Sequence, residues 1–175
     1  MKYIWYGSEP FDLNKVHPVD PKRYIETKIK GGLWGSPIEE EDETYFTWKD
    51  WCKSEDWELR PNSFKYNQVF EVDESKIYTV EDNVTLAALF SCYGKCPYGD
   101  NLQDICNNIL LLSEDDDDYI PFGMVAIDYE KLIKDYSGLK VIHGDWRSTI
   151  HGYMNTWDCD SIVVWDKDIV KTVRI

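Results

Sequence analysis

Segments typical of β-strands lie at both ends of the chain, and segments typical of helices lie between them. Runs rich in β-branched and aromatic residues predict strands at residues 3–6, 64–72, 76–80, 139–142, 162–165 and 169–173. Apolar residues recur at helical spacing over residues 44–57, 82–90, 102–112 and 128–136. Polar, turn-rich stretches at 12–21 and 144–156 predict loops. This order predicts an α+β fold in a single domain over residues 1–175, with residues 81–120 as a candidate helical insertion.

The charge of the chain is strongly negative. Its 175 residues include 33 acidic and 19 basic side chains, which give a net charge of −14. This charge repels nucleic-acid backbones and anionic membranes at long range, so a broad nucleic-acid-binding face is disfavoured, although a local basic patch is compatible with it. No apolar run approaches the roughly 20 residues of a membrane span, and no membrane partner is expected. An acidic surface that attracts a basic protein partner is an open hypothesis.

The cysteines form no recognisable disulfide framework. They number five, and the N-terminus lacks the apolar core of a signal peptide, so reduced thiols and a cytoplasmic location are expected. Cys92, Cys96 and Cys106 match no standard zinc spacing, even with the three histidines, and no metal is expected. The acidic run at 114–118 predicts a solvated loop, because it lacks the spaced ligands and glycine of a calcium-binding loop.

Two carboxylates, Asp158 and Asp160, directly precede the apolar run 162–165. If the extended conformation begins that early, both side chains point to the same side of the strand. Carboxylates that share a face are costly unless they are solvated, paired with cations or used in chemistry, so this pair is the best candidate catalytic site. The alternative is that they are strand-edge charges that discourage edge-to-edge pairing.

Glycines and aromatic residues form a second group of candidate site residues. Gly31 and Gly32 permit close backbone approach or unusual dihedrals, and an ordinary bulge or turn is the alternative. Tyr45 and Trp48 fall on one face of the predicted helix, where core packing competes with contact to a ligand. His143 and His151 lie in the loop before Asp158, and either a surface position or a substrate contact is compatible with the sequence.

Three of these segments, in this order, resemble the ADP-ribosyltransferase superfamily. Tyr6-Gly7-Ser8 is similar to the His-Gly-(Ser/Thr) motif that ends the family's first strand. The segment from Gly32 through Leu33, Trp34 and Gly35 to Ser36 is similar to its Gly-(Leu/Ile)-Tyr-Phe-Ala strand, and residues 160–164 are similar to its Glu-Tyr-Ile-Val-Tyr strand. Tyr6 stands where the family has His, and Asp160 stands where it has Glu. The resemblance implies split antiparallel sheets with helices between them.

The resemblance also implies roles for individual residues toward NAD. Asp160 would stabilise the positive charge that develops on the ribose, and Asp158 would orient the nucleophile. The implied cofactor-binding residues are Tyr6, Gly7, Ser8, Gly32, Leu33, Trp34, Ser36, Tyr45 and Trp48, of which the aromatic members would sandwich the cationic nicotinamide. Trp157, Arg147 and His151 are the implied substrate-binding residues, with Arg147 placed to grip a phosphate of NAD.

These observations favour an NAD-dependent mono-ADP-ribosyltransferase that modifies a protein or nucleic-acid acceptor. In that interpretation, Asp160→Ala abolishes transfer and leaves the fold intact. An NAD glycohydrolase, with water as acceptor, is a variant that the sequence does not separate. The alternative is an acidic, non-enzymatic interaction or inhibitor protein that titrates a basic partner, of the kind that a phage or mobile element uses against host defences. Its support is the net charge of −14 together with abundant aromatic residues.

Overall fold

A seven-stranded sheet organises the molecule in the computed structural model, which describes residues 1–25, 27–38, 45–55, 64–112, 125–143 and 148–173. The described strands are β1 Lys2–Gly7, β2 Asp20–Ile25, β3 Lys28–Lys30, β4 Leu33–Pro37, β5 Tyr66–Val72, β6 Ile77–Val80, β7 Gly94–Lys95, β8 Ala126–Ile127, β9 Gly138–Val141, β10 Ser161–Val164 and β11 Val170–Thr172. The described α-helices are α1 Trp48–Ser54, α2 Asn83–Tyr93, α3 Leu102–Leu111, α4 Tyr129–Asp135 and α5 Thr149–Tyr153.

The main sheet is mixed and runs in the order β11-β5-β1-β4-β10-β9-β6. Its neighbours pair antiparallel except for β6 and β9, which are parallel. Two small antiparallel pairs, β2 with β3 and β7 with β8, lie outside it. The predicted α+β class in one domain is confirmed. The described strands form one main sheet with a parallel edge pair, and the split antiparallel sheets that the resemblance implies stay a prediction.

Both faces of the central strands are covered. In β10, Val163 packs into the larger core beneath the helices, while Ile162 and Val164 pack on the opposite face with Tyr3 and Phe70. All four residues of β10 are buried, because both faces of the strand are covered. This burial explains why Ile162, Val163 and Val164 form an unbroken apolar run with no polar residue between them. The sheet therefore has a buried centre at β10.

Helices α2 and α3 are part of the larger core. Residues of α2, α3 and α4 share that core with the sheet, including Leu86, Leu89, Phe90, Ile105, Ile109, Leu132, Leu139 and Val163. Asp82 caps α2, because its carboxylate accepts from the backbone N–H of Thr85 at 2.7 Å, while the Thr85 hydroxyl accepts from the N–H of Asp82 at 3.1 Å. The described part of the candidate insertion, residues 81–112, contributes to the shared core.

The strand and helix predictions hold within a few residues at most positions, and two predicted loops contain regular structure. The stretch predicted as a loop at 12–21 runs into β2, and β3 follows it without having been predicted. The predicted loop at 144–156 contains α5, whose first turn is capped by Ser148 through its hydroxyl and the N–H of His151 at 3.1 Å. Strands β2 and β3 are rich in charged residues and α5 has only five residues, so none of the three gives a clear periodic pattern in the sequence.

Several predictions concern parts of the chain outside the described residues. These are the acidic run at 114–118, Arg147, and both ends of the helix predicted at 44–57, of which the structure describes α1. In the described ranges, none of the helices combines the length and apolar character that crossing a membrane requires.

Candidate functional site

A cavity of about 250 Å³ lies where β1, β4 and β10 meet the N-terminus of α1. The residues that line it are Ile4, Trp5, Tyr6, Lys28, Trp34, Gly35, Ser36, Trp48, Trp157, Cys159 and Ser161. Five of these carry aromatic rings, and among the described lining residues Lys28 is the one with a charged side chain. We call this cavity the aromatic pocket.

Strand register places one wall of the aromatic pocket. Ile4 of β1 is opposite Ser36 of β4, and Trp34 of β4 is opposite Val163 of β10. Because side chains two residues apart on a strand share a face, Ile4, Trp34 and Ser36 lie on the face that also carries Ser161. The Ser36 hydroxyl accepts from the backbone N–H of Trp48 at 2.9 Å, which fixes the first turn of α1 at the pocket. The pocket is thus built by paired strands and a helix terminus that are held together.

Two indole rings of the pocket are held by hydrogen bonds to the backbone. Trp34 donates its Nε1–H to the carbonyl of Gly31 at 2.9 Å, and Trp157 donates its own to the carbonyl of Thr27 at 2.9 Å. The two rings lie 4.9 Å apart between centroids, with their planes tilted by 55°. Because these polar N–H groups have partners, the rings present apolar π-faces at fixed positions.

An ion pair links the aromatic pocket to Asp158. The Nζ of Lys28 lies 2.6 Å from Oδ2 of Asp158 and 5.3 Å from the centroid of the Trp34 ring. The Lys28 and Asp158 side chains are 33% and 30% exposed. The arrangement combines a salt bridge with a cation–π contact over one of the pocket's rings.

Asp158 and Asp160 do not share a strand face. Asp158 has a φ of 55°, and β10 begins only at Ser161, so the extended conformation does not start early enough for the predicted alignment. Asp160 is 1% exposed, and its carboxylate accepts from the N–H of Phe46 at 2.8 Å and from the N–H of His143 at 2.6 Å. These bonds tie the segment before α1 to the segment after β9. The geometry makes Asp160 a structural acceptor and leaves Asp158 as the partly exposed carboxylate.

The predicted cofactor-binding residues divide into those that line the pocket and those that lie elsewhere. Tyr6, Trp34, Ser36, Trp48 and Trp157 line it, and the last of these was predicted to bind substrate. The residues outside the lining are Gly7, Ser8, Gly32, Leu33, Tyr45 and His151, together with both predicted catalytic carboxylates, Asp158 and Asp160. Arg147 lies outside the described residues.

Structural positions account for several of the predicted residues that do not line the pocket. Leu33 packs in the smaller core, and Tyr45 is 8% exposed. Gly31 and Gly32 have φ values of 89° and 79° and form the turn between β3 and β4, so the expected unusual dihedrals are confirmed. Gly7 leaves room for the indole of Trp5, which a Cβ at that position would strike.

The sequence did not identify Lys28, Ile4, Trp5, Cys159 or Ser161 as pocket residues. Strand alternation from Tyr6 would have found Ile4, whereas Lys28 lies on a strand that was not predicted. Burial raises the pKa of the Cys159 thiol to about 12, and the hydroxyl of Ser161 donates to the Cys159 carbonyl at 2.7 Å. The thiol is therefore protonated near neutral pH and provides a neutral lining group.

His143 is buried beside the pocket region without lining it. Its ring is 5.3 Å from that of His151, and its Nε2 atom is buried without a hydrogen-bond partner. Burial, with the nearby His151 as a second cause, lowers the pKa of His143 to about 3. The surface position considered for His143 is wrong, and the residue is a neutral imidazole in the folded protein at ordinary pH.

Comparison with protein-family models, curated proteins and solved structures gave no significant match. Across the described ranges, no group of three or more His, Cys, Asp or Glu side chains is arranged to hold a metal ion. The chemistry of the aromatic pocket therefore carries the argument about function.

Proposed function

We propose that the protein binds NAD, or a nucleotide of the same kind, with a planar ring of the ligand in the aromatic pocket. The observation that carries this proposal is the lining itself, which combines five aromatic residues with the charged Lys28, whose ammonium lies 5.3 Å from the centroid of the Trp34 ring. Stacking of a nucleotide base on an aromatic side chain contributes about 1–3 kcal/mol, and a cationic nicotinamide adds a cation–π attraction. A lysine ammonium is a suitable partner for a phosphate oxygen.

The size of the pocket limits which part of the ligand enters it. Its volume of about 250 Å³ lies just below the range of about 300–1,000 Å³ typical of sites for drug-sized ligands. One ring with its ribose fits that space better than a whole dinucleotide does. In this proposal the nicotinamide half occupies the pocket, and the rest of NAD lies along the surface near Lys28.

We further propose that bound NAD serves mono-ADP-ribosyl transfer to a macromolecular acceptor. In this reaction the bond between the nicotinamide nitrogen and the ribose C1′ breaks, and nicotinamide leaves with the bonding electron pair. The acceptor nucleophile then bonds to C1′ and releases its proton. Asp158 is the carboxylate we assign to the developing charge on the ribose, because it pairs with the lining residue Lys28 and precedes the lining residue Cys159. This assignment moves the predicted role from Asp160 to Asp158.

A pair of tryptophans on one helix tests the binding proposal. Trp48 lines the pocket, whereas Trp51 does not, and the two rings stack at 4.8 Å between centroids. Calorimetric titration with NAD should give micromolar binding that weakens at least about tenfold in Trp48→Leu, which is about 1.4 kcal/mol. Trp51→Leu removes the same stacking contact from the other side and should change affinity by less than about threefold.

A nicotinamide-release assay on the same samples tests the transfer step. Release that requires an added acceptor protein or nucleic acid supports transfer, while release in buffer alone identifies the glycohydrolase variant. Asp158→Asn should lower the release rate while NAD binding is retained. The binding proposal would be abandoned if wild-type protein gave no heat of binding at millimolar NAD, or if both tryptophan variants lost affinity equally.

A further inference from the structure

The contact between Lys28 and Asp158 sits at the wall of the aromatic pocket. Lys28 lines the pocket, and Asp158, which is 130 residues away in sequence, holds its ammonium from outside the lining with a separation of 2.6 Å. The ammonium is thus shared between the protein's own carboxylate and the space that a ligand would occupy. Because Lys28 is the one charged side chain of the described lining, an anionic group of a bound ligand would interact with the Lys28–Asp158 pair.

The pair is weak enough to be exchanged. Both side chains are about one-third exposed, and salt bridges at such positions contribute little to stability because water screens them. A phosphate group carries a charge of about −1.5 to −2 and three strong acceptor oxygens, so it competes well with one carboxylate for an ammonium. Asp158 opposes the same phosphate by like-charge repulsion.

The backbone sets the position of Asp158. Its φ of 55° and ψ of −36° are close to those of a γ-turn with positive φ, which is rare and strained. The N–H of Cys159 donates to the carbonyl of Trp157 across this residue, which closes a tight turn. The carboxylate is therefore presented to Lys28 by a fixed turn. An Asp158→Asn variant keeps the turn and removes only the charge.

We infer that the Lys28–Asp158 pair selects ligands by charge, with a phosphate displacing the Asp158 carboxylate from Lys28 when a nucleotide binds. This inference rests on the proposed nucleotide-binding function and names its specificity-determining residues. Lys28 provides the preference for a phosphorylated ligand, and Asp158 limits that preference. The protein therefore binds a nucleotide in preference to the nucleoside with the same ring.

The experiment compares nicotinamide mononucleotide with nicotinamide riboside, which share one ring and differ by the phosphate. Calorimetry on the full chain should show that the wild type prefers the mononucleotide by about tenfold or more. Lys28→Met should bring the ratio of the two affinities close to one, because it weakens binding of the mononucleotide alone. Asp158→Asn should raise the ratio by about threefold. Lys30→Met is the matched control, because Lys30 lies on the same strand, is exposed and does not line the pocket, and it should keep the wild-type ratio.

The outcomes separate this inference from the function on which it rests. Charge selection would be overturned if the wild type bound both ligands with equal affinity, or if Lys28→Met weakened the affinity for both ligands by the same factor. Either result would leave ring binding in place. A weaker mononucleotide affinity in Asp158→Asn would also overturn it, because the carboxylate would then help to bind the phosphate. Binding of neither ligand by the wild type would overturn both proposals. Thermal unfolding of each variant checks that the fold is retained.

Discussion

Replacement of Asp160 distinguishes a structural carboxylate from a catalytic one. Its carboxylate accepts from the backbone N–H groups of Phe46 and His143, and hydrogen bonds to a charged acceptor contribute about 1.5–3 kcal/mol each. Relief of the cost of burying the carboxylate offsets part of their loss. We therefore expect Asp160→Ala to lower the free energy of unfolding by about 3–5 kcal/mol, a large part of the roughly 5–15 kcal/mol that stabilises a typical domain.

Urea unfolding at pH 7.5, followed by tryptophan fluorescence, measures this change. Asp158→Asn is the control, because its partly exposed ion pair should contribute less than about 1 kcal/mol. Asp160→Asn keeps one acceptor oxygen but turns an amide NH₂ group toward a backbone donor. The free energy of unfolding of this variant should therefore lie between those of Asp160→Ala and Asp158→Asn. An Asp160→Ala protein as stable as the wild type, yet unable to release nicotinamide, would refute this reasoning and return Asp160 to the catalytic role that the resemblance implies.

Two further predictions concern stability. The folded pKa of His143, about 3, lies below its unfolded value of about 6.5, so the unfolded state binds more protons between these values. The contribution of neutral His143 to the free energy of unfolding should be fully present above pH 6.5 and should fall by up to about 1.4 kcal/mol per pH unit below it. Urea midpoints measured against pH should lose this slope in His143→Gln and keep it in His17→Gln. An unchanged slope in His143→Gln would contradict the prediction. Gly32 has a φ of 79°, and a Cβ there would lie 2.7 Å from Cγ2 of Val163, whereas Gly99 has a φ of 87° with nothing within 4 Å. Gly99→Ala should therefore lower the free energy of unfolding only by the left-handed penalty of about 1–2 kcal/mol, and Gly32→Ala should lower it further. Equal shifts in the thermal unfolding temperature of the two variants would contradict the predicted steric clash at residue 32.

The sequence predicted most regular elements because each has its own local pattern. Strands β1, β5, β6 and β10 are rich in β-branched or aromatic residues, and α2 is apolar over most of its length and is capped by Asp82. Strands β2 and β3 lack such a pattern because at least half of their residues are charged and β2 contains Pro21. Their position could come only from tertiary contacts.

The family resemblance, and not strand or helix spacing, named several aromatic residues that line the aromatic pocket. Tyr6, Trp34 and Trp48 were expected near a ligand, and all three line the aromatic pocket. Lys28 was missed because its contact with Asp158 spans 130 residues. The environment of Asp160 was missed for a related reason, since the backbone N–H groups that it accepts from belong to distant segments whose approach the sequence does not encode locally.

Binding of NAD at the aromatic pocket is most directly tested by NMR of the indole N–H groups in ¹⁵N-tryptophan-labelled protein. Trp5, Trp34, Trp48 and Trp157 line the pocket, while Trp165 lies outside the lining and donates its Nε1–H to the carbonyl of Tyr136, so one spectrum contains both probe and control. Titration with NAD should shift the resonances of the four lining indoles and leave that of Trp165 in place. Unchanged lining indoles at millimolar NAD would contradict the proposed function and favour the acidic interaction protein instead.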